Sequence, residues 1–86
     1  MDINELILIV KIKIKNNILL QDITVEDKTF LHKKHKNHQN GKFHIKITIK
    51  SKELKEINKI DSTKKIYKIL DKEINETIHS LQILIN

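Results

Sequence analysis

Phe43-His44-Ile45-Lys46-Ile47-Thr48-Ile49-Lys50 alternates apolar and polar side chains without interruption. Period-two alternation with β-branched residues on the apolar side specifies a strand with one buried and one wet face. It is the clearest element in the chain, and the others are placed around it. Upstream, Asp27 to Lys42 is rich in Lys, His and Asn and contains the single glycine, Gly41, which predicts a long exposed loop. Before that, Leu20 to Glu26 reads as a strand with Ile23 and Val25 on one face, set off by a break at Asn16-Asn17. Downstream, Ser51 is placed to cap a short helix over Lys52 to Glu56, and Asp61 or Ser62 to cap a longer one. In the longer helix Ile66, Ile69, Leu70 and Ile74 form an apolar stripe, with Lys64, Lys68 and Lys72 opposite. Thr77 to Ile85 reads as a last strand with His79, Leu81, Ile83 and Ile85 on one side.

The first segment carries two periods at once. Ile3, Leu6, Ile7, Val10 and Ile14 recur at helical spacing, whereas Val10, Ile12 and Ile14 alternate with Lys11, Lys13 and Lys15. Residue preference alone favours a strand there.

Eighty-six residues are enough for one domain, spanning 1–86, with a small core. With no Cys, Pro or Trp and one Gly, stability rests on aliphatic packing. The Ile-, Lys- and Asn-rich composition without any Arg fits AT-rich coding, so the missing Arg is not read as a functional signal. No run is long enough to span a bilayer, and the apolar stretch Leu6 to Val10 makes a poor signal peptide. The absence of Cys suits a reducing compartment. Charge is uneven: Lys28 to Lys52 holds eight lysines and no acid, while the rest holds nine lysines against eleven acids. Such a segment can attract an acidic protein surface or a nucleic-acid backbone. No nucleophile elbow, phosphate loop or HExxH motif is present, and the carboxylates are scattered as in a solvated surface, so the reading is non-enzymatic.

Four short motifs, in order, resemble the BolA family. Val25-Glu26-Asp27-Lys28-Thr29 leads into a loop with His32 and His35, where the family has an acidic stretch followed by a loop His or Cys. His44-Ile45-Lys46-Ile47, running to Ser51, is similar to the family's His-Phe-Lys-Val strand entry. Ile66-Tyr67-Lys68-Ile69-Leu70 looks like its Val-Tyr-x-x-Leu helix, and Ile78-His79-Ser80-Leu81 its Ile-His-Ala-Leu strand. The likeness covers about Leu20 to Ile83. There are departures: Ser62-Thr63-Lys64 stands where many members have Arg-His-Arg, Glu56 where they have Gly, and the Thr-Pro-Glu-Glu-Trp stretch has no counterpart before Asn86.

The resemblance implies an α+β fold like class II KH domains. That is αββααβ, a three-stranded mixed sheet with helices packed on one face. It therefore makes the first segment a helix, and tertiary context can override propensity in that way. It also implies a partner, a monothiol glutaredoxin forming a heterodimer, and a [2Fe–2S] cluster shared between the two, with no cofactor in the isolated chain. By the same resemblance His79 is the cluster ligand and His32 the second, with His35 as its substitute. Cluster assembly, delivery or iron sensing follows, in the cytoplasm or the mitochondrion, the cytoplasm favoured. An imidazole ligand suits iron and makes a cluster less electron-rich than four thiolates do. Lys33, Lys34 and Lys36 disfavour an independent cation site among His32, His35 and His38, yet would favour an anionic cluster. His44 is read as structural or surface.

The competing reading, a nucleic-acid-binding transcriptional regulator, is the second known role of the family. Lys64, Lys65, Lys68 and Lys72 could meet phosphates without specifying sequence. One glycine cannot form a Gly-x-x-Gly loop, and Phe30, Phe43 and Tyr67 offer no stacking pair.

Overall fold

The computed structural model describes residues 2–29 and 42–86. Its elements run α1 (Ile3–Asn17), β1 (Asp22–Asp27), β2 (Phe43–Lys50), α2 (Lys52–Lys55), α3 (Lys59–Ile69), α4 (Asp71–Glu76) and β3 (Ile78–Ile85). The sheet order is β1-β2-β3, with β2 antiparallel to β1 and parallel to β3. The parallel pair requires a crossover, which α2 to α4 supply. This is the expected α+β architecture with a mixed three-stranded sheet.

The first segment is a helix. Leu6, Val10 and Ile14 are fully buried, and Ile18 follows at the next turn. Burying each such side chain is worth about 1.5–3 kcal/mol, against at most about 0.7 kcal/mol per residue of lost helix propensity. Packing therefore decides the backbone. Asp2 caps the start by accepting from the Glu5 N–H at 2.8 Å. The helix leaves Leu8 and Ile12 exposed.

In β2 the alternation holds, with Ile45, Ile47 and Ile49 sealed on the helix side. Ile23 and Val25 of β1 stand opposite Ile49 and Ile47. Leu81, Ile83 and Ile85 of β3 flank Ile45, Ile47 and Ile49. Leu54, Ile66 and Leu70 cover this face from the helices.

Ser51 caps α2 as expected, accepting from the Leu54 N–H at 3.2 Å. The longer helix begins earlier than expected. Its cap is Asn58, which accepts from the Asp61 N–H at 2.8 Å. Ser62 is buried instead, and its hydroxyl donates to the carbonyl of Leu54 at 2.8 Å, fastening α2 to α3. The helix also breaks at Leu70, whose ψ of 18° takes it out of helical geometry and separates α3 from α4. Leu70 stays fully buried, so the apolar stripe survives the break.

Not every carboxylate is solvated. Glu73 on α4 is 5% exposed, and its Oε2 meets Lys13 Nζ of α1 at 2.6 Å. Its Oε1 has no hydrogen-bond partner.

Candidate functional site

His79 is exposed at the start of β3, and its surroundings are set by an irregularity in the ladder. Phe43 pairs with Ile78, but the next residue, His44, pairs with Ser80, so His79 is the extra residue of a β-bulge. The expected row of His79, Leu81, Ile83 and Ile85 is thereby corrected. Ile78, 3% exposed, joins Leu81, Ile83 and Ile85 on the core side, and the bulge takes His79 out of that row. The signal is legible in the sequence. Ile78 and Leu81 are three apart, an odd step in a period-two pattern, and only one inserted residue puts both on the same face.

The bulge brings His79 against His44. Their ring centroids lie 4.8 Å apart with planes at 62°, an edge-to-face arrangement. His44, expected to be structural or surface, is 6% exposed and structural. Its Nδ1 lies 2.6 Å from Ser80 Oγ, the proton belonging to one or the other according to the ring's tautomer. Its backbone N–H donates to Thr29 Oγ1 at 3.1 Å, and its carbonyl accepts from the Lys28 N–H at 2.7 Å. Thr29 is in turn oriented by Asp27, whose Oδ1 accepts from the Thr29 N–H at 2.9 Å. Asp27 of the first motif thus helps to hold the strand end beside His44.

Thr29 and Lys42 border the segment carrying His32, His35 and His38. Those three histidines, and with them the choice between His32 and His35, lie outside the described residues. Thr29 touches His44, so the described end of that segment sits at the His79 end of the sheet. Among the described residues no group of three or more His, Asp or Glu could hold a metal ion. His79 is a single exposed imidazole, a half-site that fits a metal group only when further ligands come from elsewhere. A concavity of about 570 Å³ lies at the α1–β1 connection, lined by Lys15 to Ile23. One of about 230 Å³ lies between α2, α3 and β3. Neither includes His79 or His44.

The charge pattern changes once the strands pair. Lys46 and Lys50 stand opposite Glu26 and Asp22 of β1. Lys28 meets Glu26 at 3.6 Å. Acids from outside the basic segment therefore face three of its lysines, which the linear count does not show. Lys64, Lys65 and Lys68 on α3 and Lys72 on α4 are all exposed. Lys65 pairs with Glu53 at 3.6 Å. By the alternation of β2, this helix face and the His44 row lie on opposite sides of the sheet. Among the described residues, no helix is long and apolar enough to cross a membrane.

Comparison with known proteins agrees with this architecture. A family model described as BolA-like protein matches residues 14–86. The DNA-binding transcriptional regulator BolA of Haemophilus influenzae is 31% identical over 75 residues, covering 87% of this chain and 70% of that protein. Among solved structures, the BolA domain of SufE1 from Arabidopsis thaliana superposes with a TM-score of 0.81 at 19% identity, covering 99% of this chain and 94% of that one. BolA1 from Arabidopsis thaliana gives 0.75 at 21% identity, covering 90% and 85%.

Proposed function

The chain belongs to the BolA-like protein family, and on that premise we propose that it is a non-enzymatic partner of a monothiol glutaredoxin, sharing a [2Fe–2S] cluster with it. The observation that carries the reading is His79. It is an exposed imidazole raised on a bulge, with a buried ring behind it, at the end of the sheet where Thr29, the last described residue before the histidine-bearing segment, meets His44. The chain has no cysteine, so thiolate ligands come from the partner and its bound thiol. His79 supplies one imidazole, and His32, or His35 in its place, supplies the second contact. The cluster would bring a potential raised by imidazole ligation, which suits transfer or sensing. The chain's own part is to present His79 to a facing protein surface. Lys33, Lys34 and Lys36 attract the anionic cluster and an acidic surface around it. The working location under this reading is the cytoplasm, with the mitochondrion as the other choice.

The direct test mixes the purified chain with a monothiol glutaredoxin under cluster-reconstitution conditions. A coloured heterodimer whose visible spectrum differs from that of the glutaredoxin homodimer supports the reading. An unchanged homodimer spectrum at saturating chain overturns it.

A second reading has one specific support: the relative named a DNA-binding transcriptional regulator. The exposed Lys64, Lys65, Lys68 and Lys72 would then meet phosphates. Binding of the chain alone to duplex DNA, falling steeply with salt and weakened by Lys68→Gln with Lys72→Gln, would favour it.

A further inference from the structure

We propose that His44 is the positioning residue for His79: its buried ring, held at Nδ1 by the Ser80 hydroxyl, is the wall against which the exposed imidazole is set. The inference deepens the cluster-sharing reading and rests on it.

An exposed histidine at a strand end has three χ1 wells and a broad χ2, so its nitrogen samples many positions. A ligand that must meet a metal group carried by another protein gains from losing that freedom beforehand. His44 is suited to remove it. Its contacts with described residues include the N–H to Thr29, the carbonyl to Lys28 and Nδ1 to Ser80. It is 6% exposed, so little of it faces solvent. Its ring meets that of His79 edge to face at 4.8 Å.

The bulge makes this possible. In a regular ladder one residue of β3 would oppose His44. Here two do, so Ser80 can hold the His44 ring while His79 packs against it. The family motif has Ala where this chain has Ser80, so the Ser80 contact on His44 belongs to this sequence rather than to the motif.

The test uses the whole chain with histidine-selective isotope labels and needs no cluster for its first readout. NMR couplings and ring shifts report whether His79 holds one rotamer. In wild type a single rotamer is expected. His44→Ala should give rotamer-averaged couplings, and His44→Phe, which keeps an aromatic wall, should restore most of the order. In the bridged complex, His44→Ala should shorten cluster lifetime about ten-fold, as loss of a supporting residue behind a metal ligand does. The nitrogen hyperfine signature of histidine ligation should persist. Ser80→Ala, at an exposed position, should shift both readouts in the same direction but less than His44→Ala does, and it carries the test if His44→Ala does not fold. A His79 rotamer unaffected by His44→Ala and by Ser80→Ala overturns the proposal. So does loss of the nitrogen signature in His44→Phe as complete as in His79→Ala, since that would make His44 a ligand. If the rotamer changes occur but wild type forms no bridged complex, the positioning stands and the glutaredoxin reading alone falls.

Discussion

Helix α1 and the start of β3 are both Ile-rich stretches whose simplest periodic reading is wrong, and they go wrong for different reasons. In α1 the alternating lysines suggest a strand, but three fully buried side chains at i, i+4 and i+8 outweigh the local preference. The deciding quantity there is hydrophobic area, several kcal/mol of it. At the start of β3 the element is a strand as read, but a single extra residue changes the face on which His79 stands. The deciding quantity there is register, and the bulge itself need not be strongly stabilising. One region shows how bulk burial chooses a backbone. The other shows how a local irregularity aims one side chain without disturbing the core around it.

The largest effect expected from this comparison is in α1. Ile14→Ala should lower unfolding free energy by about 2–5 kcal/mol in urea titration, whereas Ile12→Ala, two residues away, should stay within about 0.5 kcal/mol. Equal effects would mean that the segment does not pack as a helix with this face inward.

Register gives the next test. Deleting His79 leaves Ile78 and Leu81 two apart, in phase with Ile83 and Ile85, so the chain should fold with stability changed by about 1 kcal/mol or less. Deleting Gln82 turns the partly buried Ile83 and Ile85 toward solvent and brings Leu84 and Asn86 to the core side, so one apolar side chain is lost from the row and the cost should be about 1.5–3 kcal/mol. Comparable losses for the two deletions, read by thermal or urea melts, would remove the bulge from the account.

The link between α1 and α4 is smaller. Lys13→Met leaves the Glu73 carboxylate buried with neither oxygen partnered. Lys13 is about a third exposed, so water relieves part of the penalty. A loss of about 1–3 kcal/mol is expected, and adding Glu73→Leu should recover part of it. A double variant less stable than Lys13→Met would show that the pair is not an isolated unit.

These contrasts also indicate what could be read from residues alone. The β2 alternation, the Ser51 cap and the Ile66–Leu70 stripe follow directly from period and capping chemistry. The helical state of α1 did not, and came from resemblance, because competing periods are resolved only by what the segment packs against. The start of α3 was misplaced because Asn58, Asp61 and Ser62 are all good caps, and Ser62 is occupied by the carbonyl of Leu54. His79 is singled out as a candidate by its motif alone. The closeness of His44 was missed, since strand alternation places a residue on a face without saying who stands next to it. Segment charge misled as well, because Glu26 and Asp22 are brought opposite Lys46 and Lys50 only by strand pairing.

The smallest effect concerns what remains of that charge. Exchanging Lys33, Lys34 and Lys36 for Gln should slow association with a glutaredoxin several-fold at low salt and little at high salt, by stopped-flow mixing. Exchanging Lys46 and Lys50, which face acids, should do less. The opposite ranking would place the steering charge on the sheet rather than at Lys33, Lys34 and Lys36.

The central claim is that His79 is presented as a ligand from a scaffold that does not depend on it. Its direct test is His79→Ala, measured for folding and for the visible and circular dichroism spectra of the cluster-bridged complex with a monothiol glutaredoxin. Stability should change by no more than about 0.5 kcal/mol, as at an exposed position. The spectrum should change and the cluster should be lost faster. An unchanged spectrum with an unchanged cluster lifetime would contradict the account.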